Sequence, residues 1–193
     1  MNSNPTPVPG SRRFRRFAAW LIPPIAIGAV AVGLVGQSAG AQGPVTVWTH
    51  VASACSPDEA SFGRFDSHVS SFKHAPGATG QIVTRCNIVD LPQFGIGEIP
   101  VLDVVYRDQD GSGTAQRVRA ELIRSNNAGT TSVIKTFDSN AFAGSPATQR
   151  RFVSYSHAFN FDTNAYFVQI RVDRTTTSVT PLIATVRLTK IVG

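Results

Sequence analysis

From Ala165 to Arg174 the even positions Tyr166, Val168, Ile170 and Val172 are apolar, while the odd ones include Gln169, Arg171 and Asp173. A period of two residues marks a strand with one buried face. Leu182 to Lys190 shows the same alternation, with Leu182, Ala184, Val186 and Leu188 expected inward and Thr185, Arg187 and Thr189 outward. In Gln116 to Arg124, Val118, Ala120 and Leu122 alternate with Arg117, Arg119 and Glu121.

Further strands are expected over Val45 to Val51, Phe62 to His74, Gln81 to Val89, Ile99 to Arg107, Thr131 to Phe137 and Arg151 to Phe159. These segments are rich in β-branched and aromatic residues. Between them lie Ala75-Pro76-Gly77, Asp108 to Gly113, Ser125 to Gly129 and Asn160 to Asn164, with the Gly, Pro, Asn and Asp that turns require. No segment of ten or more residues has a clean helical period. About nine strands joined by short turns predict an all-β chain, an antiparallel β-sandwich of jelly-roll or Greek-key type.

The N-terminal 41 residues follow a different pattern. Arg12, Arg13, Arg15 and Arg16 precede the uncharged run Ala18 to Gly36, and Ala39-Gly40-Ala41 follows. A basic region, an apolar region and a small-residue cleavage site make residues 1–41 a signal peptide, with cleavage expected after Ala41. The run is also long enough for a retained anchor, but Pro23-Pro24 and three glycines weaken it as a helix. A twin-arginine route fits less well, because Arg15 stands where such signals carry an aromatic. Secretion or a periplasmic location follows from this reading, with membrane contact only through an uncleaved signal.

Removing this segment changes the charge balance. The whole chain has 18 basic and 12 acidic residues, a net charge of +6. Four of the basic residues lie in the signal, so the mature part retains 14 against 12 acids. A net charge of +2 gives no electrostatic argument for nucleic acid. Residues 42–193 have the length of one domain and contain no long linker.

Cys55 and Cys86 are the only cysteines and stand 31 residues apart. An even count in an exported chain reads as a disulfide, here tying the N-terminal segment to the first long strand. Two reduced core cysteines or half of a metal site are the alternatives. The spacing is not that of a zinc knuckle.

Ala54-Cys55-Ser56-Pro57-Asp58-Glu59-Ala60-Ser61, Gly77-Ala78-Thr79-Gly80-Gln81-Ile82 and Arg85-Cys86-Asn87 resemble segments of a group of small exported bacterial proteins of unassigned function. Tyr106-Arg107-Asp108 with Asp110-Gly111, Phe137-Asp138-Ser139-Asn140 and Ile170-Arg171-Val172-Asp173-Arg174 fit the same group. The resemblance implies a secreted or periplasmic β-sandwich with its cysteines bridged. It implies no activity.

Candidate chemistry is sparse. Asp108, Asp110 and Ser112 occupy the first positions of a calcium loop, where hard cations take carboxylate and carbonyl oxygens on a glycine-permitted turn. Arg119 stands where the bidentate Glu should be, and a hairpin turn between the flanking strands explains the same residues. His50, His68, His74 and His157 have no zincin spacing, although Asp66 and His68 share a strand face. His157 shares a face with Val153, Tyr155 and Phe159, which favours packing. Neighbouring Asp58 and Glu59 point apart on an extended chain, so turn capping explains them. No serine lies in a nucleophile elbow, and no cofactor motif is found.

Surfaces remain. Arg117, Arg119, Arg171 and Arg187 are expected to point outward, and guanidinium forks match sulfated, phosphorylated or uronic-acid glycans. A solvated, edge-protecting face is the plainer reading. Trp48 is a stacking candidate but more readily a core residue. The expected function is therefore non-catalytic binding of envelope polysaccharide, with anionic glycans as ligand, or of another exported protein. The alternatives are a cell-envelope hydrolase assembled from Asp66, His68 and Asp108, or a subunit of an extracellular assembly.

Overall fold

The structure, a computed structural model, describes residues 45–89 and 99–191. The expected signal peptide and its cleavage site lie outside these residues. Eleven strands are present among the described residues: β1 Val45–Val51, β2 Ser56–Pro57, β3 Phe65–His68, β4 Ser71–His74, β5 Gly80–Ile88, β6 Ile99–Arg107, β7 Gln116–Asn126, β8 Thr131–Asp138, β9 Gln149–Ser154, β10 Asn164–Arg174 and β11 Leu182–Ile191. They form two antiparallel sheets. One has the order β2-β5-β10-β7-β8; the other runs β3-β4-β11-β6-β9, with β1 also paired to β11. The chain is an all-β sandwich, as its alternation predicts.

The facing sides of the two sheets make the core. Ile82, Cys86, Val118, Ala120, Leu122, Val168, Ile170 and Val172 from the five-stranded sheet join Phe72, Leu102, Val104, Tyr106, Ile183, Val186 and Leu188 from the other. β10 pairs with both neighbours without a register shift, from Asn164↔Asn126 to Arg174↔Gln116 on one side and from Tyr166↔Ile88 to Arg174↔Gly80 on the other. The sequence alternation therefore holds across three strands. Trp48 is buried in the same core, and the sugar-stacking alternative loses its exposed ring.

Several expected elements differ. Phe62 to His74 is a hairpin of β3 and β4 rather than one strand. β9 ends at Ser154, and His157 packs beyond it, edge-on to Phe159 and Tyr166. In β11 a bulge between Ile183 and Thr185 changes which residues face inward. Ile183 is buried in place of Leu182 and Ala184, and the even positions resume at Val186. A bulge places two residues opposite one, so the alternation changes phase.

The segment between β6 and β7 is not a hairpin turn, because the two strands belong to different sheets. It is a corner, packed against the corner that carries β8 back to β9. Ser145 N donates to Asp108 O at 2.7 Å. A Cβ on Gly111 would lie 2.5 Å from Gly144 N, and one on Gly144 would lie 2.5 Å from Gln109 O. Gly111 also has φ +58°, a left-handed conformation that side chains resist.

Cys55 and Cys86 form a disulfide that joins the segment before β2 to the inner face of β5. Such a bond fits an oxidising compartment. Because it closes a loop of 31 residues, its reduction is expected to cost roughly 3–4 kcal/mol of stability. Guanidinium unfolding with and without a phosphine reductant measures this directly, and equal midpoints would refute it.

Candidate functional site on the outer face of the five-stranded sheet

The uninterrupted register of β10 sets residues of adjacent strands side by side in rows on the outward face. Asn87, Phe167, Ile123 and Val133 form one row. Arg85, Gln169, Glu121 and Thr136 form the next, followed by Val83, Arg171, Arg119 and Asp138. Gln81, Asp173 and Arg117 form a fourth. Phe167, Ile123 and Val133 of the first row and Arg85, Gln169 and Glu121 of the second, together with Arg171, Thr131 and Ser132, line a groove of about 440 Å³. Its floor is apolar at Phe167, Ile123 and Val133, and its wall is polar. That combination orients a ligand while excluding water from its flat faces.

The polar wall is tied together. Asp58 pairs with Arg85 at 2.9 Å, and Arg85 Nε donates to Gln169 Oε1 at 3.3 Å. Gln169 Nε2 donates to Glu121 Oε2 at 3.4 Å. Arg171 closes the chain with an ion pair of 3.3 Å to Glu121. Asp58 also accepts from Ala60 N at 3.1 Å, the capping role expected from the sequence. That backbone bond, followed by Arg85, holds its carboxyl below the usual range.

The four predicted arginines do not form one row. Arg117, Arg119 and Arg171 share this face, whereas Arg187 lies on β11 in the other sheet. There Arg187 donates to Thr49 Oγ1 at 3.1 Å and sits 3.8 Å from Asp103. Asp103 is 1% exposed and its main partner is Arg150, which donates from Nε at 3.0 and 2.8 Å. Arg117 grips Asp138 with both Nε and its terminal nitrogen, and this lowers the Asp138 pKa. Arg119 differs. Among the described residues it has no hydrogen bond or close ion pair, and its Nε is buried without a partner. It acts on Asp138 only through its longer-range charge.

The face is nearly neutral, because Arg85, Arg117, Arg119 and Arg171 meet Asp58, Glu121, Asp138 and Asp173. Recognition here depends on individual forks rather than on a broad positive field. Sequence reasoning placed Gln169 on this outward face but missed Phe167 and Ile123. The available signal was Phe167 itself, an aromatic at an outward position of an otherwise regular alternation.

The other candidates are separated. Asp66 and His68 lie on β3, where Asp66 pairs with Lys73 at 3.5 Å. The register runs from Asp66 through Lys73 and Leu182 to Arg107. Three strand spacings therefore put the Asp108 backbone roughly 14 Å away. Asp108 is fully buried and His68 is exposed. These three residues do not share an open pocket, so the hydrolase assembled from them is set aside. His74 is buried with Nε2 3.0 Å from Gly80 O, and burial lowers its pKa. His157 Nε2 lies 3.2 Å from the Tyr166 hydroxyl.

Three of the four carboxylate oxygens of Asp108 and Asp110 are engaged by the chain itself, while Asp110 Oδ1 is buried without a hydrogen-bond partner among the described residues. Asp108 Oδ1 accepts from Asp110 N and Gly111 N at 3.2 Å, and Oδ2 accepts from Ser139 Oγ. Asp110 Oδ2 accepts from Ala115 N at 2.7 Å and Gln116 N at 3.2 Å. Ser112 is exposed. Ser139 Oγ in turn accepts from Val118 N at 2.8 Å, so Asp108 fastens the end of β6 to the start of β7. The arrangement is a buried polar pin between sheets.

No protein-family model matches the sequence, and no curated protein is similar to it. Among solved structures, a xylan-binding module, CBM15, is similar with a TM-score of 0.41 and 11% identity, covering 74% of this chain and 96% of the module. The VP2 subviral particle of infectious bursal disease virus gives a TM-score of 0.36 at 11% identity. That match covers 88% of this chain and 38% of the viral one. At these scores the likenesses decide nothing about function, and the sandwich is read from its own sheets.

Burial, together with the neighbouring Asp110 carboxylate, pushes the Asp108 pKa from 3.8 up to about 6. The folded chain thus holds this proton more tightly than the unfolded one. The stabilisation it brings is complete below about pH 4 and disappears as pH rises through about 6. Wild-type stability is expected to drop by about 2 kcal/mol across that window relative to Asp108→Asn, which imitates the protonated acid. Urea unfolding at pH 4, 5, 6 and 7 reads the difference, and parallel curves would contradict it.

Proposed function

We propose that this is an exported, non-catalytic binding protein that takes an extended polysaccharide across the outer face of the five-stranded sheet. Anionic sugars of that chain are held at Arg119 and Arg171. The observation that carries the reading is the groove over Phe167, Ile123 and Val133, walled by Arg85, Gln169, Glu121 and Arg171. A sugar ring has apolar C–H faces and a polar rim, and the groove offers an aromatic floor with fixed donors and acceptors beside it. Arg119 supplies the anion preference through its terminal guanidinium nitrogens, which no described residue engages, its Nε being buried. The ion-paired Arg117 contributes position to Asp138 rather than affinity.

Calorimetry or affinity electrophoresis against uronate-bearing, sulfated and neutral polysaccharides tests this. Phe167→Ala is expected to weaken binding about tenfold, equivalent to about 1.4 kcal/mol. Arg119→Ala is expected to reduce affinity for the anionic chains and flatten its salt dependence. Arg187→Ala, on the other sheet, should leave both unchanged. Failure to bind any of the three polysaccharide classes, or equal binding by the Phe167 and Arg119 variants, would overturn the proposal.

A further inference from the structure

The disulfide has a third neighbour that sequence reading did not connect with it. His50 at the end of β1 places Nδ1 3.5 Å from Cys55 Sγ. One imidazole nitrogen and both cysteine sulfurs lie within 4.8 Å of one another, and this is the one group of three potential metal-ligating side chains among the described residues. Its imidazole lies against Trp48, with ring centroids 5.6 Å apart and planes tilted by 36°. The two sulfurs are buried, with Cys55 7% and Cys86 1% exposed.

We propose that, when the disulfide is reduced, His50, Cys55 and Cys86 form a binding site for a zinc-class divalent metal ion. Around a tetrahedral zinc, bonds of about 2.3 Å to sulfur and 2.0–2.1 Å to nitrogen place a sulfur and a nitrogen about 3.5 Å apart. The His50 and Cys55 atoms already have that separation. The remaining adjustments are the opening of the two sulfurs to about 3.8 Å and the setting of the imidazole about 3.5 Å from Cys86 Sγ, which side-chain rotation supplies once the S–S bond is gone. Nδ1 must also give up its contact with Val51 O at 3.2 Å and leave its proton on Nε2.

The charges favour this outcome in a buried place. Two thiolates neutralise a divalent cation, whereas two isolated thiolates there would carry a large desolvation cost. Two cysteines and one histidine leave the fourth position open to water, the arrangement of an open rather than a closed zinc site. The balance is simple. A phosphine or dithiol supplies two electrons to the S–S bond, two protons complete the thiols, and metal binding releases those two protons. Oxidation and metal binding therefore compete for the same two sulfurs.

The test uses the full chain, reduced anaerobically with a phosphine and titrated with Co²⁺. The expected result is 1:1 binding with thiolate-to-cobalt charge-transfer absorption, visible bands of four-coordinate geometry and displacement by Zn²⁺. The oxidised chain should show none of these. His50→Ala should retain thiolate absorption but bind at least tenfold more weakly with an altered visible spectrum, and Cys86→Ser should lose half the charge-transfer intensity. If reduction loosens the fold, metal addition must restore the β-sheet circular dichroism signal. Absence of cobalt bands in the reduced chain, absence of that restoration, or identical affinity and spectrum in His50→Ala would overturn the inference.

Discussion

The unbroken register of β10 is the constraint on which the rest of the five-stranded sheet depends. Asn164–Arg174 pairs on both sides with no bulge, so a single phase of alternation fixes two surfaces at once. One surface is the core, through Tyr166, Val168, Ile170 and Val172. The other is the polar face, where Gln169, Arg171 and Asp173 meet partners from β5 and β7. A slip of one residue would exchange these surfaces, burying the charges and exposing the core. Packing and site geometry therefore share a single cause.

The six-stranded sheet follows a different rule. Its central strand β11 carries a bulge and gives one edge to both β4 and β1. Polar residues are still accommodated, as Asp103 shows by receiving Arg150 and facing Arg187. Here a nearly inaccessible carboxylate is neutralised by arginines from two neighbouring strands. A buried charge without such partners would be strongly destabilising.

The periodicity of Gln116 to Arg124 and Ala165 to Arg174 contains the strand positions and their buried faces, because the two strands pair with each other without a shift, the bulge of this sheet falling in the pairing of β7 with β8. Leu182 to Lys190 does not, because a bulge leaves no mark in the spacing of apolar residues. Asp108 to Gly113 announces a turn, but turn residues do not say whether the next strand joins the same sheet or crosses to the other. Arg117, Arg119 and Arg171 are recognisable as outward-facing. Their unequal states are not, since Asp138 and Glu121 reach them only through cross-strand register. The bond between Cys55 and Cys86 is legible as an even cysteine count behind a segment that reads as a signal peptide, whereas the proximity of His50 depends on how β1 leads into the turn at Ala52–Ala54.

The mutual packing of the 108–115 and 142–145 corners has a consequence for how this sandwich can diversify. With main chain against main chain at Gly111 and Gly144, neither corner can acquire a side chain or an extra residue at the contact unless the other retreats. A substitution in one segment therefore demands an accommodation in the other, although they are some thirty residues apart in the chain. An inserted residue is accommodated far more readily in a connection such as the exposed Asn126–Thr130 turn, where a Cβ on Gly129 meets nothing within 4 Å.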